Sequence, residues 1–167
     1  KINNFGNPTT LAEAEAVNFF IDNGREEYLG CTGGNVFTPQ LLTAVMDGCT
    51  LKPWETPGND PETGEFIPGG GAQGQLEPCR TRPEKWYQWA ATSGTSMNNM
   101  VTFLGSTVPD SSYIGIATWL NVNLAGLPAN VLQVFHDLGA TAIDTLSGVP
   151  YAFFAQKGNP ASAIEVF

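Results

Sequence analysis

Basic side chains are scarce in this sequence of 167 residues. Lys and Arg total 7 against 16 Asp and Glu, so the formal net charge is −9 and the isoelectric point is near 4.3. Nucleic-acid binding depends on clustered Lys and Arg that neutralise phosphates. Charged residues make up only 14% of the chain, against about 25% in an average protein. We therefore expect no nucleic-acid partner and a surface that is polar largely without charge.

Long apolar runs are also missing. A membrane-spanning helix needs about 20 predominantly apolar residues, and no such run occurs, so we expect no transmembrane segment. The first residue is Lys1 rather than Met, which is typical of a chain whose signal segment has been removed. With its low charge and 19 glycines, the chain is predicted to be extracytoplasmic: secreted, periplasmic or in an organelle lumen.

The usual catalytic motifs are absent. The sequence contains no Gly-x-Ser-x-Gly, His-Glu-x-x-His or Cys-x-x-Cys-His, and no Gly-Lys-Ser or Gly-Lys-Thr follows the glycines of "GGGAQGQ". The signatures of serine hydrolases, zinc proteases, c-type haem proteins and phosphate loops are therefore missing. We favour a protein without catalytic activity and keep an enzyme as the alternative.

Helix-capping residues and apolar spacing predict several short helices. Thr10 begins a capping box, and the apolar period that follows ends at Gly24, which predicts a helix from about 10 to 23. Thr38 and Gly48 bound a second short helix in the same way. The length fits one domain of 1–167, since domains usually have about 100 to 200 residues.

The second half of the chain contains further predicted helices and a predicted hairpin. Helical spacing begins near Trp86 and is interrupted at Ser93 and Gly94, whereas "LPANVLQVFHDLG" is a clean short helix that ends at Gly139. A weak helical patch covers 141–147. Two apolar stretches around "KGNP" predict a C-terminal β-hairpin.

The predicted fold is therefore mainly α, a single domain of short helices with one long disulfide-tied loop and a C-terminal hairpin. The loop is 50–83, which is rich in Pro and Gly. The alternative is an α+β fold in which 112–124 joins the hairpin in a small antiparallel sheet of three strands, because part of that segment alternates as strands do.

Three cysteines leave one unpaired in any internal pairing. Cys49 and Cys79 stand at the two ends of the loop 50–83, so a disulfide between them would close it. Cys31 with Cys49 is the alternative, and spacing does not decide between the two. The remaining cysteine is a buried thiol, an intermolecular disulfide or a reactive thiol.

Few other side chains suggest chemistry. Cys31 as a nucleophile would need His136, the only histidine, as its base. His136 is also the candidate axial ligand of a haem or similar cofactor. The turn "NDPETGEF" carries three carboxylates that could form a weak Ca²⁺ site. If the protein is an enzyme, the same carboxylates are alternative catalytic groups. They are Asp60, Glu62 and Glu65.

Aromatic side chains concentrate around the loop. Trp54, Trp86, Tyr87 and Trp89 are a candidate binding surface for a protein partner or for glycans, with core packing as the alternative. These observations favour a non-catalytic exported protein that acts as an assembly subunit or a binding module of a larger extracytoplasmic complex. Its expected partners are other protein subunits, including copies of itself.

Overall fold

A computed structural model describes residues 2–3, 18–21, 24–27, 39–56, 58–59, 63, 66–67 and 85–167. Strands are the prevailing element in these residues. They are numbered here in chain order as β1 (Ile2–Asn3), β2 (Asn18–Ile21), β3 (Gly24–Glu27), β4 (Gln40–Met46), β5 (Gly58–Asn59), β6 (Phe66–Ile67), β7 (Tyr87–Ala90), β8 (Tyr113–Trp119), β9 (Ala152–Gln156) and β10 (Asn159–Val166).

The main sheet has five strands in the order β10-β9-β8-β4-β7, and every neighbouring pair is antiparallel. β8 is the central strand and pairs along its whole length with β4, from Tyr113 opposite Met46 to Trp119 opposite Gln40. Strands β1, β2 and β3 form a separate antiparallel sheet, and β5 pairs with β6.

Two α-helices lie between strands of the main sheet in the described part. α1 (Gly94–Thr102) is capped by Ser93, whose side chain accepts a hydrogen bond from the Ser96 N–H, and it continues into a π-helical turn at Phe103–Thr107. α2 (Ala129–Asp137) lies between two 3₁₀ turns at Leu124–Gly126 and Ile143–Thr145. Neither α-helix could cross a membrane, since each has nine residues and a spanning helix needs about 20.

Gly139 ends α2 in a Schellman motif. Its φ is +101°, a conformation that glycine adopts without a steric penalty. The Gly139 N–H donates to the carbonyl of His136, and the Ala140 N–H donates to the carbonyl of Phe135. The helix therefore stops where the sequence predicts, and the chain turns sharply toward the last two strands.

The core lies between the helices and one face of the main sheet. Alternate residues of the strands point into it, as the register requires. Its sheet residues include Leu41, Val45, Tyr87, Trp89, Ile114, Ile116, Phe153 and Ala155, and its helix residues include Met97, Met100, Val131 and Phe135. The opposite face is also buried around Leu42, Ala117 and Trp119, each at most 1% exposed.

Four aromatic rings pack together within this core. The Phe103 ring lies 4.7 Å from the Tyr87 ring, 5.4 Å from Trp89 and 6.2 Å from Trp54, measured between centroids. The Trp89 indole N–H donates to the Thr43 hydroxyl at 3.1 Å. Phe103 thus joins the π-helical turn to β7 and to the segment that follows β4.

The prediction of a mainly helical fold is wrong. The second predicted helix, between Thr38 and Gly48, is strand β4, and the spacing that begins near Trp86 is strand β7. The first predicted helix covers 10–23. Residues 18–21 of this range form β2, and the other residues of the range lie outside the described part. β4 was misread because both of its faces are buried, so apolar residues do not alternate along it.

Other elements match their signals. α2 and the hairpin of β9 with β10 are present, and α1 begins at the predicted interruption at Ser93 and Gly94. The patch 141–147 contains one 3₁₀ turn. The segment 112–124 contains β8, which pairs with β9, but the sheet also includes β4 and β7 and is therefore larger than the three-stranded alternative.

Replacing Phe103 with Ala should lower the free energy of unfolding by about 3 to 5 kcal/mol, because it removes a ring enclosed by three others. Urea unfolding followed by tryptophan fluorescence measures the change. Leu51→Ala is the control: Leu51 is 60% exposed, so its truncation should change stability by less than about 0.5 kcal/mol. Equal effects of the two substitutions would contradict this core.

Candidate functional site

The aromatic residues proposed as a binding surface lie mostly in the interior. Trp86, Tyr87 and Trp89 are 3%, 1% and 2% exposed. In a strand, Tyr87 and Trp89 share one face, and that face packs on the core. Trp54 is half-buried and its ring meets Phe103 edge-on. Three of the four rings are therefore buried, and Trp54 alone of the four is partly exposed.

Cys49 is exposed and carries a free thiol. The predicted disulfide with Cys79, and the alternative with Cys31, both require Cys49 and are therefore wrong. Asp47 fixes the turn around the thiol, since one carboxylate oxygen accepts hydrogen bonds from the N–H groups of Cys49 and Thr50. Cys31 and Cys79 lie outside the described residues. The proposed catalytic pair of Cys31 with His136 therefore also lies partly outside them.

The loop carboxylates proposed for Ca²⁺, Asp60, Glu62 and Glu65, also lie outside the described residues. Within the part of the chain that the structure describes, no group of three or more His, Cys, Asp or Glu side chains is placed to hold a metal ion.

His136 lies in the last turn of α2 with both ring nitrogens engaged. Nδ1 lies 2.9 Å from the Ala140 carbonyl oxygen, and Nε2 lies 3.1 Å from Oδ1 of Asp144. Both partners are acceptors, so both nitrogens donate only in the protonated ring. The Ala140 carbonyl and the carboxylates of Asp144 and Asp137 raise the pKa of His136 above 6.5, although partial burial opposes the shift. Both ring nitrogens are therefore engaged within the protein.

Glu165 in β10 connects three segments of the fold. Its Oε2 accepts hydrogen bonds from the Thr141 N–H at 2.7 Å, the Thr141 hydroxyl at 2.9 Å and the Ala142 N–H at 3.1 Å. Its Oε1 accepts from the Tyr151 hydroxyl at 2.8 Å. Partial burial alone would raise the pKa of Glu165, but these donors outweigh it and hold the pKa below 4.5. An ionised carboxylate thus ties β10 to the residues that follow α2.

Among residues 39–56, 63 and 85–167, whose side-chain burial the structure describes, three of the four large exposed apolar side chains lie at the end of β10 or directly after it. Ile164, Val166 and Phe167 are 59%, 62% and 65% exposed, and we call these three residues the edge patch. Ile164 is paired with Phe154 and Val166 with Ala152, so both point away from the helices, whereas Glu165 points toward them. β10 is also an edge strand of the main sheet.

The opposite edge of the sheet differs. In β7, Tyr87, Gln88 and Trp89 are at most 6% exposed, so this edge is covered. Of the two edges of the main sheet, β10 is therefore the one that is open to a partner in the described structure.

Sequence reasoning missed Glu165 and the edge patch. The one available signal was the stretch "SAIEVF", where a single carboxylate stands between apolar neighbours. Its partners Thr141 and Ala142 are more than 20 positions away, and the close approach of Gly139, in the turn after α2, to β10 brings them together.

The sequence matches no protein-family model, and it matches no curated protein. The function must therefore be inferred from the fold and from the arrangement at β10.

Cys49 should react rapidly with a maleimide in the native, unreduced protein, because its thiol is exposed and unpaired. Peptide mass spectrometry after labelling identifies which cysteine carries the label, and Cys49→Ser is the control that should lose it. Recovery of the Cys49 peptide as a disulfide, without label, would contradict the structure.

The protein should lose stability as the pH rises from about 6 to about 8, because a raised pKa means that His136 stabilises the fold below about pH 6.5 and ceases to do so above its folded pKa. An exposed ion pair contributes at most about 1 kcal/mol. Urea unfolding at both pH values measures the loss. His136→Gln should abolish this pH-dependent loss of stability, whereas Gln133→Ala, at an exposed position of α2, should retain it. If His136→Gln lost as much stability between these pH values as the unsubstituted protein does, another titratable group would be responsible.

Proposed function

We propose that this protein is a non-catalytic assembly subunit that binds through the open edge of β10, and that the strand it binds is β10 of a second copy. The observation that carries this proposal is the edge patch at the end of a strand that, among the strands the structure describes, pairs on one side only. The outer side of such a strand presents N–H and C=O groups that a further strand satisfies. The exposed Ile164 and Val166 supply apolar contact to the same partner.

The two halves of β10 differ in how well they resist pairing. Proteins protect edge strands with proline, irregular register and free charges. Pro160 and a register shift between Asn159 and Ile164 lie in the first half. From Ile164 to Val166 the register with β9 is regular. The second half is therefore an unprotected edge.

The lack of free charge on β10 makes it a place where a second copy meets little repulsion. The net charge of −9 repels copies of the chain from one another. Glu165 is the only charged residue of β10, and its carboxylate faces the helices and is fully engaged. An antiparallel contact between two β10 strands brings the same apolar surface together across a two-fold axis. The five-stranded sheet would then continue into a partner sheet.

The proposal retains an extracytoplasmic location for this assembly. It is supported by composition alone, namely the small charged fraction of 14% and the 19 glycines.

Sedimentation equilibrium tests the assembly. The chain should form dimers that tighten as salt is added, because salt screens the repulsion between acidic copies. Val166→Lys should weaken the dimer by at least about tenfold, which corresponds to about 1.4 kcal/mol, since it places a charge in the apolar contact. Leu51→Lys is the matched control: it adds the same charge at a residue that is 60% exposed in another part of the fold, and it should leave the dimer unchanged or slightly tighter.

Two results would overturn the proposal. One is a chain that remains monomeric at all protein and salt concentrations. The other is a dimer that Val166→Lys and Leu51→Lys affect equally.

A further inference from the structure

The five residues Ala140–Asp144 contact α2 on one side and β10 on the other. On the α2 side, the Ala140 carbonyl and the Asp144 carboxylate accept hydrogen bonds from the two nitrogens of His136. On the β10 side, Thr141 and Ala142 donate to Glu165. The same short segment is therefore held from both sides by a titratable residue.

Each of these contacts requires one protonation state. His136 donates from both nitrogens only when it is protonated, because the neutral ring has a single N–H. Glu165 accepts at both oxygens without an O–H of its own only when it is ionised. A protonated Glu165 carries no charge, and the backbone N–H groups of Thr141 and Ala142 cannot accept its proton, so these two contacts would weaken.

Close packing connects the segment to the edge strand. Gly139, the residue before it, approaches β10 so closely that a Cβ there would collide with the carbonyl oxygen of Pro160 and the side chain of Ala163. The end of α2 and β10 therefore fit together only while the segment between them keeps its position. Ala140 and Ile143 of the segment are buried in the core, at 3% and 0% exposed, so the two ionic groups control the polar contacts of the segment and not its anchoring in the core.

We propose that Ala140–Asp144 is a pH-dependent latch that ties β10 to α2 and is closed only while Glu165 is ionised and His136 is protonated. Acid opens the latch on the β10 side, and base opens it on the α2 side. This inference goes beyond the dimer proposed above, because the latch holds or fails in a single chain whether or not β10 binds a partner.

The neighbouring charges set the pH range. The groups that face Glu165 and His136 in the described structure are Tyr151 beside Glu165, and Asp144 and Asp137 beside His136. Tyr151 stays neutral throughout, because burial and the Glu165 carboxylate raise its pKa further above 10.0. The pKa of Glu165 lies below 4.5 and that of His136 above 6.5, so the latch is closed across the intervening, mildly acidic range.

Amide hydrogen exchange of the monomer at low protein concentration tests the latch, independently of any dimer. The protection factors of the Thr141 and Ala142 amides should be high at about pH 5.5 and should fall by at least about tenfold in Glu165→Gln, because hydrogen bonds to a charged group are lost. Asp110→Asn, which removes the same charge elsewhere, should leave them unchanged. Amides of β8 should keep their protection in every variant, which shows that the fold is intact.

Two further variants keep the test decisive. Tyr151→Phe removes one donor but retains the carboxylate, so the Thr141 and Ala142 amides should lose protection less than in Glu165→Gln and still respond to acid. His136→Gln should abolish the loss of protection between about pH 6 and about pH 8. Protection at Thr141 and Ala142 that stays within about twofold of the unsubstituted chain in Glu165→Gln, or that is independent of pH in the unsubstituted chain, would overturn the latch.

Discussion

The pairing of β8 with β4 and β9 is the constraint on which the rest of the described structure depends. β8 lies at the centre of the main sheet, and its alternate residues Ile114 and Ile116 face the helices while Ala117 and Trp119 face the other way. A slip of one residue would exchange these two buried sets. Because β9 takes its register from β8 and β10 takes its register from β9, this pairing also decides that Glu165 faces the side of the helices and that Ile164 and Val166 face the other side.

The charged groups near β10 have structural partners that hold the strand in place. Lys157, in the turn between β9 and β10, donates to the carbonyls of Gly105 and Val108, and burial lowers the pKa of its ammonium group. Glu165 accepts hydrogen bonds at the other end of the hairpin. The hairpin is thus fixed at both ends by one cation and one anion, and among the described strands β10 pairs with β9 alone.

The sequence predicted those elements whose ends carry local signals. Gly139 determines the end of α2 through its positive φ, and "KGNP" marks the turn of the last hairpin. The strands of the sheet centre could not be predicted in this way. Leu41, Leu42 and Val45 are all buried, on two opposite faces of β4, and the same spacing fits one face of a helix. The site at Glu165 could not be predicted either, because its partners are distant in sequence and meet only through tertiary packing.

An isotope-filtered NOE experiment on an equal mixture of labelled and unlabelled chains tests the central claim most directly, since it detects only contacts between copies. The claim is that β10 is the surface through which the chain assembles. It predicts intermolecular NOEs that connect Ile164–Val166 of one chain with the same strand of the other. Intermolecular NOEs confined to other elements, with none from β10, would contradict it.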